Sequence, residues 1–433
     1  MNVVCTKTDG GCCGGKTGGK YSGQRGTYTL EIQDREFIPV LLGNDINTYG
    51  MSRAFYEAYG IRSVVIGKAA TGPSCNSRII DFRHVPGLDT EEIFIKTIRK
   101  TAAEFAEKKV ILMGCGDNYV EQIIRNSARL PENIVAPYVD EQLMDRLLTK
   151  TEFYKMCDSC GVEYPATFIY DRSMGSGFTL PFGFPVFLKP SNGIKYWQHE
   201  FPTQKKAYRL NSEAELKEVI EQIYGAGYDD RLIIQDFVPG EDSNLRVMIC
   251  YSGRDRKVKL MSFAHAVLEE HTPHGIGNTA VLMNDYDPEL SEKLRNFLDS
   301  IGYTGFSTFD IKFDRRDGRY KILEMNIRQG RSNYYVTAAG NNLAKYVVED
   351  HIYGRDLQFE IANARNLWTV IPLGVAFRYT RDENVRKRMR ELVREKRVTN
   401  PLFMKGDNRI KRMLFVYKSY LSHWLKFRKY LEQ

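Results

Sequence analysis

FSTFDIKFDRRDGRYKILEMNIR, residues 306–328, is where the reading of this chain starts. Apolar and polar residues alternate on both sides of an Asp-Gly pair, the pattern of a β-hairpin closed by a tight turn. Asp310 lies on the first strand. Glu324 and Asn326 lie on the second, two residues apart, so their side chains share a face. The turn brings Asp310 opposite them. Two carboxylates and an amide on one face make a hard oxygen site suited to Mg²⁺ that also carries phosphate oxygens. Without a cation the two carboxylates repel. The alternative is a solvated sheet face, but LEMN sits in an otherwise apolar strand. Arg328 continues the alternation, placed to meet a phosphoryl group or a substrate carboxylate.

Working upstream, FPVFLKPSNG (184–193) is an apolar strand that ends in Lys189-Pro190. A lysine walled by apolar residues is a point charge suited to polyphosphate. Lys150 lies on the helix before it. Taken alone, either lysine is more often a surface charge than a ligand. IIQDFVPGED (233–242) is a strand running into a connecting segment. Gln235, Asp236, Phe237 and Val238 offer main-chain groups to a planar base, and Glu241 or Asp242 offers a carboxylate to ribose hydroxyls.

Further upstream the character is strand–helix alternation. FIPVLLG, SVVIG (63–67) and KVILMG (109–114) read as buried strands with amphipathic helices between them, a small parallel sheet over 37–140. Asn44–Asp45 and Gly116–Asp117 lie at strand ends just before helices, where an open α/β sheet places ligands; helix capping explains them equally. Residues 1–36 read as a Gly- and Cys-rich leader. Gly10, Gly15, Lys16 and Thr17 match the phosphate-loop spacing, but no strand precedes them and two glycines follow, so no such loop is expected. His265, His271 and His274 fit no common zinc spacing, and Cys157-x-x-Cys160 reads as helical thiols.

The chain has 433 residues, 42% hydrophobic and 27% charged, which excludes extensive disorder. No apolar run approaches a membrane span. Eight cysteines are too few for a disulfide scaffold, so a reducing cytoplasm is the expected location. The net charge of +8 is not spread evenly: Arg378–Gln433 holds 17 Lys+Arg against 6 Asp+Glu, and the rest holds 45 against 48. A uniformly basic nucleic-acid binder is excluded; a near-neutral body with a basic helical extension remains. That extension suits docking on the body or peripheral contact with the inner face of a membrane.

The order Lys150, Lys189, Gln235–Val238, Asp242, Asp310, Glu324, Asn326 resembles the ATP-grasp superfamily of carboxylate–amine ligases, over about 145–345. VLLGNDINTYGMSRAFYEAYG, VPGEDSNLRVMICYS and HTPHGIGNTA look most like the D-aspartate ligases of Gram-positive bacteria. The resemblance implies a mixed α/β and α+β protein. A small Rossmann-like domain (37–140) precedes an ATP-grasp domain (141–350, lid about 145–238), and a basic extension (351–433) follows. It implies ATP and one or two Mg²⁺ as cofactors. Lys150 and Lys189 would hold phosphates, Gln235–Val238 the adenine, and Glu241 or Asp242 the ribose. Asp310, Glu324 and Asn326 would hold metal, with Arg328 and Lys189 catalytic. Independently of the resemblance, Asn44 and Asp45 at a strand end and Arg331, Ser332 and Asn333 after the metal strand are candidates to meet the amino-acid substrate; a helix-starting loop explains 331–333 equally. HTPHGIGNTA (271–280) would be a lid over the reacting atoms. The expected partners are an amino acid and the lysine amine of a peptidoglycan precursor, with no nucleic acid.

Overall fold

The computed structural model of the chain describes residues 32–272, 275 and 277–431. Most of the leader, with its Gly10–Thr17 pattern, and Pro273, His274 and Ile276 of the expected lid lie outside the described residues.

Three sheets follow one another along the chain. β1 (Phe37–Leu42), β2 (Ser63–Gly67), β3 (Ile80–His84), β4 (Lys109–Gly114) and β5 (Ile134–Val135) form a parallel sheet in the order β3-β2-β1-β4-β5. β1 is buried end to end, as a parallel strand covered on both faces must be. Helices α1 (Ile46–Tyr59), α2 (Glu91–Glu104) and α3 (Asp117–Arg125) connect these strands. The chain crosses from one side of β1 to the other between β2 and β4. The carboxyl ends of β1 and β4 therefore flank the switch point where such sheets bind ligands. Asn44–Asp45 and Gly116–Asp117 stand there. The edge strands β3 and β5 carry half-buried residues and short pairings, too weak a pattern to anticipate.

Next come α4 (Glu141–Leu148) and α5 (Lys150–Ser159). The break is at Thr149, whose extended backbone (φ −81°, ψ 105°) makes it the N-cap of α5. Lys150 thus becomes the first residue of a helix, where the macrodipole disfavours a cation and favours an anion beside it. β6 (Thr167–Tyr170), β7 (Val186–Pro190), β8 (Tyr208–Leu210) and β9 (Leu232–Asp236) form an antiparallel sheet in the order β6-β9-β7-β8, with α6 (Gly193–Trp197) and α7 (Glu213–Gly225). Leu188, Leu216, Ile220 and Ile223 belong to a small core of this sheet's own. Each such side chain contributes roughly 1.5–3 kcal/mol by burial.

The third sheet runs β14-β13-β10-β11-β12-β16-β17, with β15 beside β11. Its strands are β10 (Leu245–Ser252), β11 (Val258–Glu269), β12 (Thr279–Asp285), β13 (Gly305–Asp314), β14 (Arg319–Asn326), β15 (Glu360–Ile361), β16 (Leu367–Thr369) and β17 (Val398–Thr399). Its helices are α8 (Pro288–Ser300), α9 (Tyr334–Ala338), α10 (Leu343–His351), α11 (Leu373–Tyr379), α12 (Glu383–Arg394) and α13 (Ile410–Leu431). It shares a continuous core with the parallel sheet. The two strands around Pro239–Gly240 do not form a hairpin: β9 belongs to the second sheet and β10 to the third. β16 ends just before VIPLGVAF (370–377), where Pro372 caps α11, its fixed φ suiting a helix start.

The hairpin β13–β14 forms as the sequence predicts, with Gly318 at φ +73° in its turn. One irregularity matters. Asp310 pairs with Glu324, but Ile311 pairs with Ile322, so Leu323 is an extra residue on β14. This bulge sets the carboxylates directly opposite each other, whereas an unbroken ladder continuing from Ile311–Ile322 would set Asp310 against Leu323. The Ile322 amide turns instead to Glu163 O, 2.8 Å away.

Candidate active site

A cleft of about 530 Å³ opens where the three sheets meet. Its floor carries Asp310, Glu324 and Asn326, its roof Lys189 and Lys206, and its far end Arg328, Arg331 and Ser332. Pro165, Phe187, Val238, Leu245 and Leu323 give it an apolar slot.

On the floor, Asn326 Nδ2 donates to Asp310 Oδ2 at 3.1 Å. Burial and the facing Glu324 hold the Asp310 carboxyl well above the ordinary carboxylate range. Among the described residues no three His, Cys, Asp or Glu side chains gather as a closed metal site. Two carboxylates and an amide instead leave coordination positions open, the donor set expected where phosphate oxygens complete the sphere of Mg²⁺.

On the roof, burial pushes the Lys189 ammonium down to about 8, with Lys150 and Lys206 adding repulsion. Burial likewise lowers Lys150. Lys189 Nζ donates to Gln235 Oε1 at 3.3 Å, and the Gln235 amide donates to Tyr154 Oη and Thr167 Oγ1, both at 2.9 Å. Gln235 therefore fixes Lys189 rather than facing a base. Two desolvated lysines, Lys150 and Lys189, with Lys206 beside them and the Asp310–Glu324 carboxylate pair across a gap, is an arrangement completed by a polyphosphate and its counter-ion.

The segment after β9 departs from expectation. The Asp236 and Phe237 amides already bond Ala166 O at 2.9 Å and Pro185 O at 3.3 Å, and the Asp236 carboxylate bonds Arg316. The Phe237 ring lies under Arg209 and Lys312. Val238 lines the apolar slot. Glu241 and Asp242 line a separate cavity of about 180 Å³. Asp242 accepts from the Glu269 amide at 2.9 Å and from His271 Nε2 at 2.7 Å. Burial opposes its ionisation, but His271 and that amide outweigh burial and hold it below the usual range. The carboxylate facing the cleft here is Glu269, pushed up to about 7 by burial and by Asp242.

At the far end, Arg328 forks onto Asp117, with Nε–Oδ1 at 2.6 Å and Nη2–Oδ2 at 3.0 Å. Burial works against this cation, but Asp117, Asp310 and Asp45 prevail and keep it charged. Arg331 pairs with Glu270 at 2.7 Å. Three expected substrate residues stand behind the cleft instead. Asn44 Nδ2 holds Ala69 O and Thr71 O at 2.9 Å. Asp45 caps α1 through the Thr48 amide. Asn333 Nδ2 donates to Asn47 O at 3.0 Å and to Asn47 Oδ1 at 2.7 Å, fully buried between α1 and α9. Gln329, on the same seam, donates to Gly114 O at 3.1 Å. Asn333→Ala should cost about 1–3 kcal/mol by removing two buried hydrogen bonds to Asn47, as read from urea unfolding.

A D-aspartate ligase of Enterococcus faecium (strain Aus0004) is 38% identical over 412 residues, 92% of this chain and 98% of that relative. The chain belongs to the D-aspartate ligase family. It is an ATP-dependent carboxylate–amine ligase. No family model matches it. Solved structures share the ATP-grasp fold at low identity. An L-amino acid ligase from Bacillus licheniformis is 15% identical with TM-score 0.52, over 73% of this chain and 74% of its own. An ADP complex of N5-carboxyaminoimidazole ribonucleotide synthetase is also 15% identical, with TM-score 0.55, over 78% and 82%. The biotin carboxylase domain of the 2-oxoglutarate carboxylase of Hydrogenobacter thermophilus, 16% identical, aligns with TM-score 0.56 over 77% and 74%.

Four charged residues of the ligase's cleft escape sequence reasoning: Lys206, Arg246, Glu269 and Lys312. Lys312 was accessible from alternation, two residues beyond Asp310 on β13. Lys206 lies in an irregular stretch before β8, and Glu269 ends a long strand, so neither carries a local signal.

Proposed function

We propose that the ligase joins the β-carboxylate of D-aspartate to the side-chain amine of a lysine in a peptidoglycan precursor, in the cytoplasm, through an acyl phosphate. The identity to a D-aspartate ligase along nearly the whole chain carries this reading. The cleft supports it. Lys150, Lys189 and Lys206 bind the phosphates of ATP from above, and Asp310, Glu324 and Asn326 hold one or two Mg²⁺ from below. Mg²⁺ neutralises charge on the β- and γ-phosphates. The base enters the slot beside Phe187 and Val238, and the ribose meets Glu269, with Asp242 behind it. The carboxylate attacks the γ-phosphorus, ADP leaves, and the amine then displaces phosphate from the acyl carbon. Positioning and charge neutralisation suffice, and no protein nucleophile is needed. Arg328 faces the developing oxyanion. Arg331 and Ser332 bind the amino acid's α-carboxylate, and Gly277, Asn278 and Thr279 border the site beside them. The test is an ADP-release screen of D- and L-amino acids with a lysine-containing muropeptide precursor. Release that requires D-aspartate and the lysine amine is the expected result. Equal release with L-alanine or another acid would overturn the substrate assignment.

The acid groups of the cleft also give a pH signature. The folded state keeps Glu269 protonated up to about 7, and holds Asp310 in the same direction. The unfolded chain releases these protons near pH ~4, so the native state binds more protons between the two values. Apoprotein stability from these groups is therefore highest in acid and falls as pH rises through about 7. Calorimetric Tm should drop from about pH 5 to about pH 8. MgCl₂ should restore Tm at the higher pH and do little at the lower, where protons occupy the ligand oxygens.

A further inference from the structure

α13 (Ile410–Leu431) is apolar on two opposite sides. One side is its dock. Arg412 is fully buried, donates to Pro73 O at 3.1 Å and Leu402 O at 2.9 Å, pairs with Asp407 at 3.2 Å and lies over the Tyr49 ring. Asp407 in turn accepts from Tyr49 Oη at 2.8 Å and Ser77 Oγ at 2.7 Å. Val416, His423 and Phe427 continue the buried side, with Phe427 against Tyr379. These contacts fix the rotation of the helix, and so fix what it turns outward.

The outward side is not polar. Ile410, Leu414, Leu421 and Leu425 are 78%, 67%, 57% and 72% exposed, and Tyr417 stands beside them. At helical spacing they form one continuous stripe along more than four turns. Lys411, Lys418 and Lys429 flank it, and none of the three has an ion pair among the described residues. No acidic residue occurs anywhere in 410–431. A helix whose solvent side is apolar and bordered along one edge by cations, with no acid, matches the apolar–anionic boundary of a lipid surface. A second copy of the chain would bring the same cations and no counter-charge from its own α13. Among the described residues no helix is long and apolar enough to cross a membrane, which leaves lying on one.

We propose that α13 seats the ligase flat on an anionic membrane, its Leu stripe entering the headgroup layer and its lysines meeting lipid phosphates. This goes beyond the ligase reading and is measured without any ligase substrate. The experiment is co-sedimentation of the full chain with vesicles of phosphatidylglycerol or of phosphatidylcholine, for the wild type and for L421E/L425E. Both substitutions fall on exposed positions outside the cleft lining, on the side of α13 opposite its buried contacts, so ADP release in solution should be unchanged and reports on folding. The wild type should bind phosphatidylglycerol and not phosphatidylcholine, and the double variant should lose about tenfold or more in partition. Three results would overturn the proposal. They are no lipid preference in the wild type, equal binding of the double variant, or a wild-type dimer that the substitutions dissociate without vesicle binding.

Discussion

Glu324→Gln is expected to lower ligase turnover by about 10³-fold while leaving the fold intact. Glu324 and Asp310 are cross-strand partners brought face to face by the bulge at Leu323. Their repulsion is part of what holds Asp310 above the ordinary carboxylate range. An amide of the same shape removes that repulsion, so the apoprotein should melt at the same temperature or higher. It also removes one of the two anionic oxygen donors from the proposed metal clamp, leaving the γ-phosphate charge poorly neutralised. Turnover is read from ADP release at saturating ATP, folding from the melting curve. Full activity in this variant would remove the metal clamp from the mechanism. Lost activity accompanied by a large fall in Tm would instead make Glu324 a structural residue.

Lys189→Met is the second large effect, and its signs oppose each other. kcat/KM for ATP should fall by about 10²- to 10³-fold, because a desolvated charge-assisted contact to phosphate is lost. The apoprotein should gain about 1–2 kcal/mol, because Met fills the same space without a buried charge. Burial and the neighbouring lysines hold Lys189 near 8, whereas the unfolded chain keeps that proton to about 10.5. The penalty is therefore fully present at neutral pH and fades as pH rises above 8, when the folded lysine goes neutral. ATP restores the charge. Its binding by the wild type should take up a proton above pH ~8, and the Kd should rise about tenfold per pH unit there. The Met variant should lack this dependence. Calorimetric titration in buffers of different ionisation enthalpy measures the proton directly.

These predictions rest on groups whose legibility in the sequence differs for physical reasons. The hairpin could be read because a tight Asp-Gly turn and two-residue alternation are local, and alternation placed Asp310, Glu324 and Asn326 on one face. The bulge that aligns them could not, since pairing register depends on both strands and on Glu163, which takes the freed amide. The parallel sheet was visible in its buried central strands and invisible at its edges, where β3 and β5 lack an apolar run. Lys150 and Lys189 were found through ordered motifs, but the helix break at Thr149 and the buried Gln235 strut appear only in three dimensions. Asn333 illustrates the opposite error. A polar residue just after the metal strand reads as a ligand, yet its partner is Asn47, 286 residues away in the chain. Asp242 was placed at the ribose on motif order, whereas the fold turns it toward His271 and gives the cleft Glu269.

Supply D-aspartate labelled with ¹⁸O in its β-carboxylate, ATP, Mg²⁺ and a lysine-containing muropeptide, and measure the label in the phosphate released. Acyl-phosphate ligation at this cleft transfers one carboxylate oxygen to phosphate for every amide formed. Phosphate free of label, with amide still produced, would contradict it.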